Sequence, residues 1–366
     1  MIIEAQPFNI ELPKRGSKII LSDTLVVSYK IKRITSDGCR GWFRVDGTKV
    51  KKQFSLMFYE IEEYQEISNR YKDKMFEVES LSDITYANVK GYWSSIPDDT
   101  IDIGNIVKVG LLNSLKKKDI DLDMDIYIPK NDTVEKRPLI MFIHGGAFYI
   151  GDKATLPYRT LCNHFASMGY VCVSINYRMG FKLSSKAIER TAYQATQDAH
   201  AAMRYLLSKK EIYRIDPDCL FVGGASAGSI TAMNLAYMRN ENRPKSSYSS
   251  LFAEDLGDLE TSGNKLYGKF RIKGVANMWG SMNDLKMLEN SRIPIISFHG
   301  DKDEVVPYGQ GYPFMAIGDF KKVLFDEMYG SSCIHERALE LGIRSRLHTF
   351  SGEGHGLYLD TKRNLT

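Results

Sequence analysis

Gly224-Ala225-Ser226-Ala227-Gly228 sets a serine between two glycines at the spacing G-x-S-x-G. That spacing is the mark of a nucleophile elbow, a sharp turn from a strand into a helix with the serine at its apex. The flanks agree. Cys219 to Val222, C-L-F-V, is a short apolar run of the kind a buried parallel strand shows. Ser229 to Arg239, S-I-T-A-M-N-L-A-Y-M-R, reads as a helix opening straight after the turn. The glycines have a steric reason, since only a residue without a β-carbon fits where backbone passes close to backbone. A chance cluster of small turn residues has the same five letters, so the reading depends on the rest of the chain.

Pro138 to Ile143, P-L-I-M-F-I, is an apolar run that ends in His144-Gly145-Gly146-Ala147-Phe148. Glycines there let successive N–H groups turn toward one point, as an oxyanion loop requires. Losing one such donor typically adds about 3–4 kcal/mol to an acyl-transfer barrier. Ile293 to Phe298, I-P-I-I-S-F, is another strand candidate and runs into His299-Gly300-Asp301-Lys302-Asp303. Ser351-Gly352-Glu353-Gly354-His355-Gly356 is a glycine-rich loop carrying a histidine. The chain order is therefore oxyanion loop, serine, acid, histidine, and Asp301 and Asp303 are both candidates for the acid. Serine, acid, histidine is the α/β-hydrolase order, unlike that of the two familiar protease classes.

These segments resemble the carboxylesterases of the α/β-hydrolase superfamily, in the group whose oxyanion loop reads H-G-G-G or H-G-G-A. Hormone-sensitive-lipase-like and type-B carboxylesterases belong there, as do bacterial esterases acting on plant-wall acyl groups. Arg214-Ile215-Asp216-Pro217-Asp218 before the elbow strand and Asn176-Tyr177-Arg178 after Val171 to Ile175 are typical of that group. The resemblance covers roughly residues 119 to 360. It departs at Ala147, where many members have a third glycine, though an alanine N–H still donates. Its pattern H-G-x-x-D-x-x-V-P implies Asp303 as the acid. It implies an α/β-hydrolase fold, a mostly parallel central sheet flanked by helices, and a reaction that needs no metal or organic cofactor.

The side chains then have expected roles. Ser226 attacks an ester carbonyl, and a base must take its proton because a free hydroxyl is a weak nucleophile. His355 is that base, and Asp303 holds its imidazole in the right tautomer. The N–H groups of Gly146, Ala147 and Ala227 form the oxyanion hole. Phe148 and Trp279 are candidates for lining an acyl pocket, and plain core packing explains either equally well. His144 and His299 are read as structural; His164, His200, His335 and His348 sit in helix- or strand-like contexts. A serine peptidase or thioesterase on the same fold, and a non-catalytic hydrolase-fold binding protein, are the competing function classes. The expected substrate is a small-molecule or polysaccharide-linked ester with a short or compact acyl group.

Composition narrows the field further. The chain has 366 residues, 43% hydrophobic and 26% charged, as an ordinary globular protein does. Its 49 basic and 45 acidic residues nearly balance, so nothing argues for a nucleic-acid partner. No apolar run approaches the roughly 18–20 residues of a membrane span. The start, M-I-I-E-A-Q-P-F, lacks the basic and apolar regions of a signal peptide, which leaves the compartment open. Five scattered cysteines, Cys39, Cys162, Cys172, Cys219 and Cys333, have no C-x-x-C spacing and read as small buried apolar residues. Composition does not speak to oligomeric state.

Two regimes divide the chain. Residues 18 to 66 read as strands with a hairpin signal at Ser36-Asp37-Gly38, and Glu60 to Phe76 as a charged helix. This predicts a small β-rich N-terminal accessory domain over residues 1–110 and a catalytic domain over 111–366. Trp42, Phe43, Phe54, Phe58, Tyr59 and Trp93 make the first part too aromatic for a disordered tail. From Asp119 to Ile128 polar and apolar residues alternate, which predicts a strand with its aspartates on a solvated face. Calcium is disfavoured there, because an EF-hand loop begun at Asp119 has Met124 and Lys130 where glycine and glutamate are needed. Leu156 to Met168 is an expected helix, and Ala192, Ala195, Ala199, Ala202 and Leu206 mark another. The polar stretch Asn240 to Lys269 is expected to be a surface excursion near the site.

Overall fold

The computed structural model describes the backbone of 18–22, 25–35, 38–45 and 51–57, and residues 69–92, 117–181, 184–251 and 253–357 in full. The chain divides into two compact units, Met1–Met75 and Phe76–Thr366. The first contains a four-stranded antiparallel sheet of β1 (Lys18–Ser22), β2 (Leu25–Thr35), β3 (Gly38–Val45) and β4 (Lys51–Met57), in that order. The hairpin turn at 36–37, most of the helix expected over 60–76, and Phe58, Tyr59 and Trp93 lie outside the described residues, as do the side chains of Cys39, Trp42, Phe43 and Phe54. The described end of that helix segment is a turn in which the amides of Lys72 and Asp73 both donate to Asn69 O.

The second unit is built on an eight-stranded sheet. Its strands are β5 (Val78–Gly91), β6 (Lys118–Pro129), β7 (Arg137–Ile143), β8 (Val171–Ile175), β9 (Ile215–Ala225), β10 (Ile272–Met278), β11 (Ile295–Gly300) and β14 (Ser345–Phe350). A small separate ribbon pairs β12 (Gln310–Gly311) with β13 (Met328–Tyr329). The order across the sheet is β14-β11-β10-β9-β7-β8-β6-β5. All pairings from β8 to β14 are parallel, and β6 and β5 add antiparallel strands at one edge. This is the α/β-hydrolase fold.

The boundary read from sequence at 110/111 is therefore corrected. β5 pairs with β6 from Val78↔Pro129 to Gly91↔Lys118, so the large sheet begins well before residue 111. The signal was weak because β5, V-E-S-L-S-D-I-T-Y-A-N-V-K-G, is exposed along its first half and has no continuous apolar run.

The inner strands are apolar on both faces because both faces are covered. β8 is buried at every residue. The main core lies between the sheet and helices α2 (Ser185–Ser208) and α3 (Ala227–Tyr237). A smaller cluster lies under helix α1 (Leu156–Ser167) and includes Phe142, Tyr158, Cys162, Cys172 and Trp279. Cys162 and Cys172 are buried and unbridged, and burial pushes both thiols up. Helix α4 (Ser331–Glu340) precedes the edge strand β14. Ser184 caps α2 by accepting a hydrogen bond from the Ala187 amide.

One further expectation needs refinement. The aspartates of β6 do not all face water: Asp119 and Asp121 do, but Asp125 is buried. Lys153 Nζ lies 3.0 Å from Asp125, 2.7 Å from Asp83 and 3.5 Å from Asp123, so an internal ammonium fills the acidic cluster. The polar stretch Asn240 to Lys269 is tied to α2. Gln197 Nε2 donates to the carbonyls of Leu256 and Asp258, Arg204 to Ser262 O, and Asn264 Nδ2 to Ala201 O and Tyr86 O.

Candidate active site

Loops leaving the C-terminal ends of β7, β9, β11 and β14 meet at one edge of the sheet, where open α/β sheets bind ligands. Ser226 is the turn between β9 and α3. Its φ of 55° and ψ of −122° are rarely adopted by a residue with a side chain. Such a conformation costs of order 1–3 kcal/mol and persists only where its surroundings enforce it. They do here. A β-carbon on Gly224 would lie 2.4 Å from Gly228 backbone, and one on Gly228 would lie 2.0 Å from Ile143 O. The Ser226 amide is anchored to Met278 O on the neighbouring strand at 2.9 Å.

His355 Nε2 stands 3.0 Å from Ser226 Oγ, and its Nδ1 stands 2.7 Å from Asp303 Oδ2. The other carboxylate oxygen, Oδ1, accepts the amides of Val305 and Val306 at 2.8 and 2.9 Å. Burial alone would push Asp303 up, but hydrogen bonds from His299, His355 and the Val306 amide outweigh it and hold the group well below the usual carboxylate range. An ionised Asp303 requires the proton of His355 to sit on Nδ1, which frees the Nε2 lone pair for the serine hydroxyl. Asp301 stands apart. Its oxygens accept Gly352 N at 2.7 Å and Ser351 Oγ at 3.2 Å, so it fixes the turn that carries His355.

His299 also belongs to this group. Its Nε2 lies 3.1 Å from Asp303 Oδ2 and 3.2 Å from Val306 O. A carbonyl only accepts, so Nε2 bears the proton, and Nδ1 accepts from the Ser331 hydroxyl at 2.7 Å. Ser331 Oγ in turn accepts from Asn277 Nδ2 at 3.0 Å, while Asn277 Oδ1 accepts from Ser229 Oγ on α3 at 2.6 Å. Asn277, on β10, thus ties the elbow helix to the support of the acid. Nothing in the chain near Asn277 signalled this, because Asn277, Ser331 and His299 come together only through the sheet.

The oxyanion loop turns through positive φ at Gly146 (103°), Ala147 (54°) and Phe148 (59°). At Gly146 a β-carbon would fall 2.0 Å from Ile150 O, so glycine is obligatory. The Gly145 amide donates to Tyr158 Oη, and Tyr177 Oη donates to His144 O. Among the described residues, the amides of Gly146, Ala147 and Ala227 donate to no group of the chain. His144 is fully buried and stacked on Tyr177, with ring centroids 4.5 Å apart, and burial lowers its pKa to about 4. It is a neutral packing residue.

Ser226, Ala147 and Ala227 open into a cavity of about 560 Å³. Phe148 lines it. Trp279 does not; it packs edge-on to the His355 ring at 6.4 Å, in the cluster under α1. Sequence reading missed Phe181, Ile188, Phe314 and Leu324, which line much of the apolar wall. Among the described residues no group of three His, Cys, Asp or Glu side chains is placed to hold a metal ion, and no helix is long and apolar enough to cross a membrane.

The chain is similar to several known proteins. The BD-FAE family model matches residues 124–293. Gut esterase 1 of Caenorhabditis elegans is 29% identical over 116 residues, which are 31% of this chain and 20% of that protein. Esterase LipQ of Mycobacterium tuberculosis is 23% identical over 204 residues, 50% of this chain and 45% of that protein. The chain thus spans less than half the length of either relative. Thermogutta terrifontis esterase 2 is a structural neighbour at 18% identity and a TM-score of 0.46, covering 76% of this chain and 87% of that one. The sheet order and the elbow are those of the α/β-hydrolase fold, and over the stretches matched the chain is similar to esterases.

Proposed function

We propose that the protein hydrolyses carboxylic esters through an acyl-enzyme on Ser226. The observation that carries this reading is one imidazole, His355, within hydrogen-bond reach of both Ser226 Oγ at 3.0 Å and Asp303 Oδ2 at 2.7 Å. His355 Nε2 takes the serine proton as Oγ bonds to the ester carbonyl. The resulting imidazolium is stabilised by ionised Asp303 and then protonates the departing alcohol. The oxyanion points at the amides of Gly146, Ala147 and Ala227, which make no competing bond among the described residues. Water then attacks the acyl-enzyme through the same steps, releasing the acid and restoring Ser226. No step calls for a metal or an organic cofactor.

Phe148 makes an apolar wall close to the serine, whereas Trp279 is assigned to holding the His355 ring. The stretch Asn240 to Lys269 is mostly polar and its residues 256–262 are hydrogen-bonded to α2, which favours a fixed strap over a flap that opens at an oil–water interface. Compact acyl groups, including acyl groups borne on polysaccharides, are therefore the substrates we favour. A panel of p-nitrophenyl acyl esters with one feruloyl ester and one emulsified triglyceride tests this. Soluble short-chain or aromatic esters should turn over fastest; faster turnover of the emulsion would refute the substrate class.

A further inference from the structure

The cavity follows helix α3 away from Ser226. Ser226, Ile230, Asn234 and Met238 line it at every fourth residue, so one face of the helix forms a continuous wall. With a rise of about 1.5 Å per residue, Asn234 sits about 12 Å along the axis from the serine. Helix α2 contributes a second wall through Ile188 and Ala192. The space is longer than an acetyl or butyryl group needs.

Asn234 is the anomaly in that apolar wall. It is only 7% exposed. Its Nδ2 donates to Thr196 Oγ1 over a long 3.4 Å, and no described group donates to Oδ1. Thr196 cannot supply that donor, because its hydroxyl proton goes to Ala192 O at 3.0 Å. Asn234 borders the cavity, so a donor lying there can reach Oδ1.

We propose that Asn234 is a distal subsite, which accepts a hydrogen bond from a hydroxyl or amino group on the substrate arm lying along α3. The inference rests on the ester-hydrolase reading for which end of the cavity reacts. It narrows the substrate class to esters with one elongated, mainly apolar arm that ends in a hydrogen-bond donor about 12 Å from the scissile carbonyl.

Plain alcohols and matching α,ω-diols of increasing chain length test this without prejudging which arm enters. Their affinities are read as inhibition of p-nitrophenyl acetate turnover, and directly by titration calorimetry. A purely apolar cavity binds the plain alcohol more tightly, because the second hydroxyl loses its water. The subsite reverses that order: the diol should bind about five- to tenfold tighter, the size of one hydrogen bond, with an optimum where its oxygens are about 12 Å apart. Asn234→Leu should restore the preference for the plain alcohol, and Asn234→Ala, which adds no bulk, gives the same reading if the leucine variant does not fold. A parent that prefers the plain alcohol at every length overturns the subsite, as does a diol preference that survives both substitutions. Ester hydrolysis without diol preference defeats the subsite alone. Diol preference in a protein that hydrolyses no ester defeats the ester-hydrolase reading alone.

Discussion

At the scale of single residues, the chemistry was legible wherever it demands a fixed spacing along the chain. G-x-S-x-G is forced by backbone contacts at Gly224 and Gly228, and the H-G-G-A loop by the turn at Gly146. Asn277, Phe314 and Asn234 were not legible, because each is brought to its place by packing, and an isolated polar or apolar residue carries no address. Asp301 and Asp303 differ only in what the folded loops place beside them. Asp303→Asn should lower kcat by about four orders of magnitude, because the amide disfavours the productive tautomer. Asp301→Asn should cost far less, and steady-state kinetics on p-nitrophenyl acetate would expose the reverse ranking. His144 and His200 are both buried, and burial lowers each pKa to about 4. Between about pH 6.5 and this value the unfolded chain binds protons that the folded chain refuses, so stability falls on acidification across that window. Both ring nitrogens of His200 lack a partner among the described residues. His200→Phe should therefore shrink the acid-induced loss measured by urea unfolding at about pH 7 and about pH 5. A parent more stable at the lower pH would contradict the assignment.

At the scale of elements, the buried parallel strands were legible and the marginal ones were not. β7, β8 and β9 carry apolar runs because helices cover both their faces. β10, I-K-G-V-A-N-M, places Asn277 in the buried hydrogen-bond network, and β14, S-R-L-H-T-F, is an edge strand whose side chains are largely exposed. Neither shows a run, and both are placed by their neighbours. The oxyanion loop depends on another element that sequence reading took for a solvated face. Lys153, at the loop's far end, joins it to β5 and β6 through Asp83, Asp123 and Asp125. Burial alone would push Lys153 down, but the hydrogen bonds it donates to Asp83 and Asp125 hold it up, so it is an ammonium. Lys153→Met would leave Asp125 buried and unpaired, and should cost about 3–5 kcal/mol in denaturant unfolding. A loss below about 1 kcal/mol, the value of an exposed pair, would show that the clamp is not structural.

At the scale of the whole molecule, the fold class was readable because strand and helix alternate from the oxyanion loop to the histidine loop. The unit boundary was not, since β5 belongs to the large sheet by pairing rather than by composition. All four loops that meet at the site leave strands of the second unit, Phe76–Thr366. We propose the first unit as an accessory module. Removal of residues 1–75 should then leave a soluble protein that still hydrolyses p-nitrophenyl acetate, whereas removal of 1–110 should not, because it takes β5 out of the sheet. An insoluble or inactive 76–366 protein would make the first unit part of the catalytic core. The central claim is that Ser226 is the attacking group, and its most direct test is covalent labelling by a fluorophosphonate, read by mass spectrometry alongside turnover. The parent should label at Ser226 alone, and Ser226→Ala should abolish labelling and lower kcat by about four to six orders of magnitude with its fold intact. A Ser226→Ala protein that still labels at another serine, or still hydrolyses the ester, would contradict the account.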